Sequence, residues 1–176
     1  MSSLDVDLDR KLAYDKEKGQ LITTDGSGSR LVLAMPMEAF FGLVDHLFEL
    51  FMSGASVILE GAGEGAGKAA VQNIMSRKDI EYGLRKTLSR GSRWGHGRYE
   101  LLELDFPRNY SRLRVYNCVF ARESDPECRS MWYLRGYLRG CFSTFFHNPE
   151  IICNELKCMN VGDKYCEFEL RPRASP

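Results

Sequence analysis

A chain of 176 residues with 44% hydrophobic content is long enough for one substantial core and short for two, so a single main domain is expected. Lys plus Arg equals Asp plus Glu at 24 each, which leaves no net field to draw in nucleic acid or an anionic membrane. The longest apolar stretch, Phe40 to Met52, is broken by Asp45, His46 and Glu49 and falls short of the roughly 20 residues a membrane span needs.

Met1 to Arg10 alternates charges without an apolar segment of signal-peptide type, so the expectation is a cytoplasmic protein with a loosely ordered start. Gln20 to Thr24 and Arg30 to Met35 flank the turn-forming Asp25-Gly26-Ser27-Gly28 and read as a hairpin. After Pro36, the residues Phe40, Phe41, Val44, Leu47, Phe48 and Phe51 recur at helical spacing. Ser53 to Met75 is ambiguous. Val57-Ile58-Leu59 suits a strand, yet Ala55, Leu59, Ala62, Ala66 and Ile74 keep a helical period, and we read one helix with a small-residue face open to a close neighbour.

Asp79 to Ser89 suits a shorter helix ending at Arg90-Gly91. Arg98 to Phe106 and Leu113 to Ala121 read as strands paired across Pro107-Arg108-Asn109-Tyr110. Met131 to Phe146 returns to helical spacing. Ile151 to Cys158 and Tyr165 to Leu170 form a last hairpin with Gly162 at its bend. The expected organisation is a flexible segment over 1–19, one domain over 20–171 and a tail over 172–176.

Ala62 to Lys68 satisfies a permissive phosphate-binding loop up to its Lys. Ala69 then stands where a hydroxyl should meet magnesium, so a plain helix face is the better reading. The last hairpin is more informative, because Glu155, Cys158 and Cys166 set a carboxylate and two thiolates around a tight turn, a donor set that suits zinc. Cys128 is the first candidate for a fourth donor, with Cys153 and Cys141 behind it. Spacing alone favours buried, inert thiols instead, since free cysteine is a common small core residue. The six cysteines read as thiols or metal ligands rather than disulfides in a reducing compartment.

Trp132-Tyr133-Leu134-Arg135-Gly136-Tyr137-Leu138-Arg139-Gly140, followed by Glu155-Leu156-Lys157-Cys158 and Gly162-Asp163-Lys164-Tyr165-Cys166-Glu167-Phe168, closely resembles the end of 4-vinyl reductase domains. Arg30 to Leu33 with Pro36, Trp94 to Tyr99, and Val115-Tyr116-Asn117 with Phe120 fall in the family's order. The resemblance implies an α+β fold of antiparallel β-sheet packed with helices, shared with ligand-sensing domains of phenol-responsive regulators, with NO-signalling domains and with transport-protein-particle subunits. It implies a homodimer as well. In the phenol sensors a Glu and two Cys at the spacing of Glu155, Cys158 and Cys166 bind zinc with a Cys at the start of the preceding helix. That position falls here at Met131 or Trp132, which leaves Cys128, about one helical turn earlier, to supply the fourth ligand.

The resemblance also aligns a ligand-binding Trp of the sensors with Tyr116 and a His with Arg93, substitutions that argue against phenol itself. Trp94, His96 and Tyr116 are the candidates to line a mixed pocket, although each alone reads as an ordinary core aromatic or loop residue. His46 and His147 read as a helix-surface and a helix-end residue, Glu103 and Asp105 as solvent-facing strand positions, and Arg135 and Arg139 as a solvated or dimer-interface stripe. No catalytic set emerges.

The leading expectation is therefore a non-enzymatic, zinc-containing binder or sensor of a small hydrophobic or aromatic molecule, passing its signal to a downstream regulatory protein. A second reading, drawn from the family's name, is an enzyme or accessory in vinyl reduction of a tetrapyrrole precursor. It needs a hydride donor for which the sequence has no good dinucleotide site. A third is a structural or tethering subunit.

Overall fold

A computed structural model describes residues 11–25, 28–72 and 80–173. Several sequence expectations lie outside them: the loosely ordered 1–10, the turn at Gly26-Ser27, Ile74 and Met75, Asp79 and the tail beyond residue 173. The chain divides into two compact units, one reaching to Pro36 and one from Met37 onward.

The first unit is a three-stranded antiparallel sheet of β1 (Lys11–Asp15), β2 (Gln20–Asp25) and β3 (Gly28–Val32) in that order. β2 and β3 are the expected hairpin. β1 falls inside 1–19, where no strand was expected, because its five residues carry too little apolar alternation to stand out. The Asp15 carboxylate accepts from Glu17 N and Lys18 N at 3.1 Å each, and Gly19 takes φ +63, which closes the turn into β2.

In the second unit, α1 (Met37–Phe51), α2 (Gly54–Gln72) and α3 (Ile80–Arg93) precede β4 (Arg98–Asp105) and β5 (Tyr110–Tyr116). Then come α4 (Met131–Phe145), β6 (Ile151–Lys157) and β7 (Cys166–Pro172). The four strands form an antiparallel sheet in the order β4-β5-β7-β6. Period-2 alternation turns Ser111, Leu113 and Val115 of β5 and Cys166, Phe168 and Leu170 of β7 toward the core. Cys153 lies opposite Leu170, and Glu155 opposite Phe168, so both share that inner face. Leu134, Leu138, Cys141, Phe142 and Phe145 of α4 join the same buried cluster. No helix among the described residues is long and apolar enough to cross a membrane.

The ambiguous segment is helical throughout α2, and its glycines explain why. Gly63 and Gly67 lie against the backbone of Tyr133 and Tyr137, while Gly136 and Gly140 lie against that of Glu60 and Glu64, so α2 and α4 meet backbone to backbone. A phosphate-binding loop is excluded here, since the whole glycine-rich run is helix and Lys68 pairs with Glu64 one turn away at 2.6 Å.

Other boundaries moved. α3 continues past Gly91 to Arg93 because Gly91 sits within the helix against the ring of Tyr99, which a Cβ would strike. β5 ends at Tyr116 rather than Ala121. Asn117 takes φ +50 and turns the chain, and Val119 N donates to His96 O at 3.2 Å, so the apolar residues after it pack as a loop. Arg139 is no solvated stripe: it reaches Glu60 at 2.9 Å and also binds Glu64, clamping α4 to α2. Arg135 lies over the Trp132 ring at 4.0 Å and donates to Cys153 O.

Candidate functional site

The inner face of β6 delivers Glu155, and a bulge between Glu155 and Lys157 ends the regular ladder just before Cys158. Cys158 opens a tight turn over Met159–Val161, with Gly162 in the left-handed region at φ +97. Cys158 N donates to Asp163 Oδ2 at 3.0 Å, and Val161 N and Asp163 N both donate to Cys158 O. Cys166, the first residue of β7, accepts from Met159 N at 3.4 Å through its sulfur and lies near Cys158, outside the group that Cys128, Glu155 and Cys158 form. Cys128 comes from the loop between β5 and α4, also in the left-handed region at φ +54, and its Sγ stands 3.1 Å from Cys158 Sγ. The ligand atoms of Cys128, Glu155 and Cys158 all lie within 4.8 Å of one another.

Buried polar side chains latch the Cys128 loop onto this turn. Asn160 accepts from Arg122 N at 3.1 Å and donates to Asp125 O at 2.8 Å, while the Asp125 carboxylate accepts from Ser130 N and Oγ at 3.1 Å. Ser130 Oγ lies 2.6 Å from Phe120 O, and Cys128 N donates to Asp125 O at 3.0 Å. Arg122 grips Asp45 of α1 with both terminal nitrogens, one of them at 2.9 Å. Networks of this kind hold a side-chain constellation in one geometry, although Arg122 Nε is buried without a partner among the described residues.

Electrostatically the cluster gathers acidic groups, with Arg135 as a cation that pulls on Glu155. Burial raises the Glu155 carboxyl to about 7, against the lowering pull of a Cys158 hydrogen bond and of Arg135. Hydrogen bonding to Cys166, then burial, pushes the Cys158 thiol up, and burial does the same for Cys128. Glu155 Oε1 is buried with no hydrogen-bond partner among the described residues. Two or three sulfurs with one carboxylate oxygen form a donor set of the kind that zinc takes.

The three pocket candidates separate. His96 packs edge-on to the rings of Phe120 and Tyr137 at 5.3 and 5.5 Å, and its Nδ1 is buried without a partner among the described residues. Burial holds this imidazole below its ordinary value, hence neutral. Tyr116 instead shares the outer sheet face with Arg114, donating to Glu100 at 2.7 Å beneath the Arg98 guanidinium. Trp94 is 39% exposed. The side chain of Arg93 lies outside the described residues. His46 pairs with Glu49, and His147 ends α4 at φ +51.

Two neighbours of the cluster went unread in the sequence. Cys118 is buried and near enough to raise the Cys166 thiol. Tyr99 is partly buried near Tyr137, Cys118 and Cys141, its hydroxyl buried and unpartnered among the described residues. Only long-range packing brings these groups together, so local patterning carried no sign of them.

Residues 111–172 match the family model of the 4-vinyl reductase domain. The matched span holds the motif that carries the resemblance, with Glu155, Cys158 and Cys166 inside it and Cys128 as well. The α+β fold is shared with solved structures. The phenol-responsive sensory domain of the transcription activator PoxR, solved with phenol, has a TM-score of 0.75 at 15% identity over 92% of this chain and 84% of that one. A vinyl-4-reductase family protein from Methanocaldococcus jannaschii gives 0.51 at 22% identity over 81% and 85%. A trafficking protein particle complex subunit 3 from Naegleria fowleri, covalently bound to palmitic acid, gives 0.53 at 14% over 78% and 92%. A comparison with curated proteins found no match.

Proposed function

We propose that this protein binds a small hydrophobic or aromatic molecule in the interior of the second unit, beside a zinc centre made by Cys128, Glu155, Cys158 and Cys166. The observation that carries the reading is the convergence of Cys128, Glu155 and Cys158, with Cys166 nearby, in a unit where His96 Nδ1 and the Tyr99 hydroxyl are buried without a partner among the described residues. A buried polar atom left unpaired costs about 1–3 kcal/mol, and a guest with one hydroxyl or carbonyl on an apolar body would remove that cost. The phenol held by the PoxR domain has this character.

Zinc in this cradle would supply a fixed positive charge that keeps the sulfurs as thiolates and ties the turn at Cys158 to the Cys128 loop. Phe120 lies in that loop segment and touches His96, so a guest beside His96 and the latch around Asp125 bear on the same stretch of chain. The guest shifts the loop only as far as it binds two loop arrangements unequally. Leu50, Phe51, Met52 and Val57 are exposed around the α1–α2 junction and give the proposed homodimer an apolar surface. A binder of this kind in the cytoplasm acts through a downstream regulatory protein.

Native mass spectrometry of the full chain tests the reading. The expected spectrum shows a dimer with one zinc per chain and a retained apolar compound. A protein that takes up neither zinc on titration nor any apolar or aromatic probe guest overturns it.

A further inference from the structure

Cys128 and Cys158 stand closer than a zinc cradle asks. Two thiolates on one tetrahedral zinc, each about 2.3 Å from the metal, lie roughly 3.8 Å apart. The 3.1 Å observed is shorter than that, on the way to a sulfur–sulfur bond of about 2.05 Å. Three further features single out this pair. Cys128 is half-buried while Cys118, Cys158 and Cys166 are buried, so solvent reaches Cys128 first. A left-handed backbone at a non-glycine residue aims it at Cys158, a strained conformation that the Asp125 and Asn160 latch maintains. Glu155 places a carboxylate oxygen within 4.8 Å of the two sulfurs.

We infer that Cys128 and Cys158 form a dithiol that hydrogen peroxide closes to a reversible disulfide when the cluster holds no metal. Cys128 Sγ attacks one peroxide oxygen, and its proton passes to the Glu155 carboxylate. The O–O bond breaks, and the departing hydroxide takes that proton back from Glu155 and leaves as water, with a sulfenic acid left on Cys128. Cys158 Sγ then attacks the Cys128 sulfur. The S–S bond forms, the S–O bond breaks, and the hydroxide leaves as a second water with the Cys158 proton. Two thiols and one hydrogen peroxide thus give one disulfide and two waters, the peroxide being reduced. The product removes two donors from the cluster at once, so closure and metal binding exclude each other. Such a dithiol goes beyond guest and metal binding and stands without either.

The test is mass spectrometry of the full chain after a chelator and then equimolar hydrogen peroxide. The expected result is loss of two hydrogens per chain, a Cys128–Cys158 link in the non-reduced digest, and return of the original mass with dithiothreitol. Cys118→Ser keeps the link and Cys128→Ser abolishes it. Glu155→Gln slows closure on the order of 100-fold. Oxygen addition at Cys128 without a link, or a link between other cysteines, overturns the inference, and the wild-type digest alone decides this should a variant fail to fold. Closure at the wild-type rate in Glu155→Gln overturns the proton transfer to Glu155. On zinc-loaded protein, excess peroxide is expected to release the metal together with formation of the same link.

Discussion

Gly136 of α4 lies against the backbone carbonyl of Glu60 in α2, so close that a Cβ at position 136 would enter the oxygen. Backbone cannot swing aside as a side-chain tip can, so Gly136→Ala must push the two helices apart. It is expected to lower stability by about 2–3 kcal/mol, beyond the roughly 1 kcal/mol that alanine returns in helix propensity. Gly65, exposed on the far side of α2, has nothing near its Cβ position. Gly65→Ala is expected to raise stability by about 0.5–1 kcal/mol. Urea unfolding of both variants checks the pair, and equal effects would mean that α2 and α4 do not touch through their glycines.

Glu167 supplies the acid-sensitive interaction of the sheet. Its side chain has 0% exposure, with Arg112 Nε at 2.8 Å and Arg114 Nε at 2.7 Å. Burial pushes its carboxyl up, but hydrogen bonds from Arg114 and Arg112 and their charges outweigh burial and leave it below the usual glutamate value. A depressed folded pKa means stability that is present above the unfolded pKa and lost as pH falls through the folded one. Both guanidinium groups are partly in water, so Glu167→Gln is expected to cost only about 1–2 kcal/mol at neutral pH. Unfolding midpoints of wild type and variant should converge below the ordinary glutamate range. A gap that persists unchanged in acid would assign the loss to packing.

The cluster was legible where its residues share one hairpin. Glu155, Cys158 and Cys166 are near in sequence, and a Gly at position 162 in the left-handed region makes their turn possible. Cys128 was legible only as a candidate, since its approach depends on Asn160 gripping Asp125, two polar residues with no periodicity to mark them. Helix α2 was readable from its small residues, but not that four glycines would meet across α2 and α4. Tyr116 was beyond local reading. Whether a strand residue faces helices or solvent follows from register, and Leu113 and Val115 take the inner positions that leave Tyr116 outside.

Guest binding should therefore depend on the inner groups. Tyr99→Phe removes the unpartnered hydroxyl and keeps the ring, so it is expected to weaken a phenol probe several-fold while leaving toluene unchanged. His96→Ala weakens both, since it also removes ring contacts with Phe120 and Tyr137. Tyr116→Phe on the outer face changes neither. Calorimetric titration of the variants measures this, and loss of phenol binding in Tyr116→Phe alone would put the guest on the other side of the sheet.

The cysteines divide into those that would hold a metal and those that pack, and substitution separates them. Cys158 is the hub: its sulfur meets Cys128 at 3.1 Å, lies near Cys166 and shares the cluster with Glu155. Cys158→Ser is expected to reduce zinc content to roughly one-tenth of wild type or less and to remove any stabilisation by added zinc, because a ligand set that loses its central thiolate loses both affinity and the linked folding energy. Cys141 is as fully buried, yet its sulfur faces Gly67 O at 3.6 Å across the α2–α4 contact. Cys141→Ser should keep full zinc content and show only a modest fall in stability, since serine fits the space and its hydroxyl can use the same carbonyl. Metal analysis and thermal unfolding with and without a chelator make the comparison. Zinc lost equally from both variants would mean that the metal follows global folding, and the cluster at Cys158 would then no longer be its place of binding.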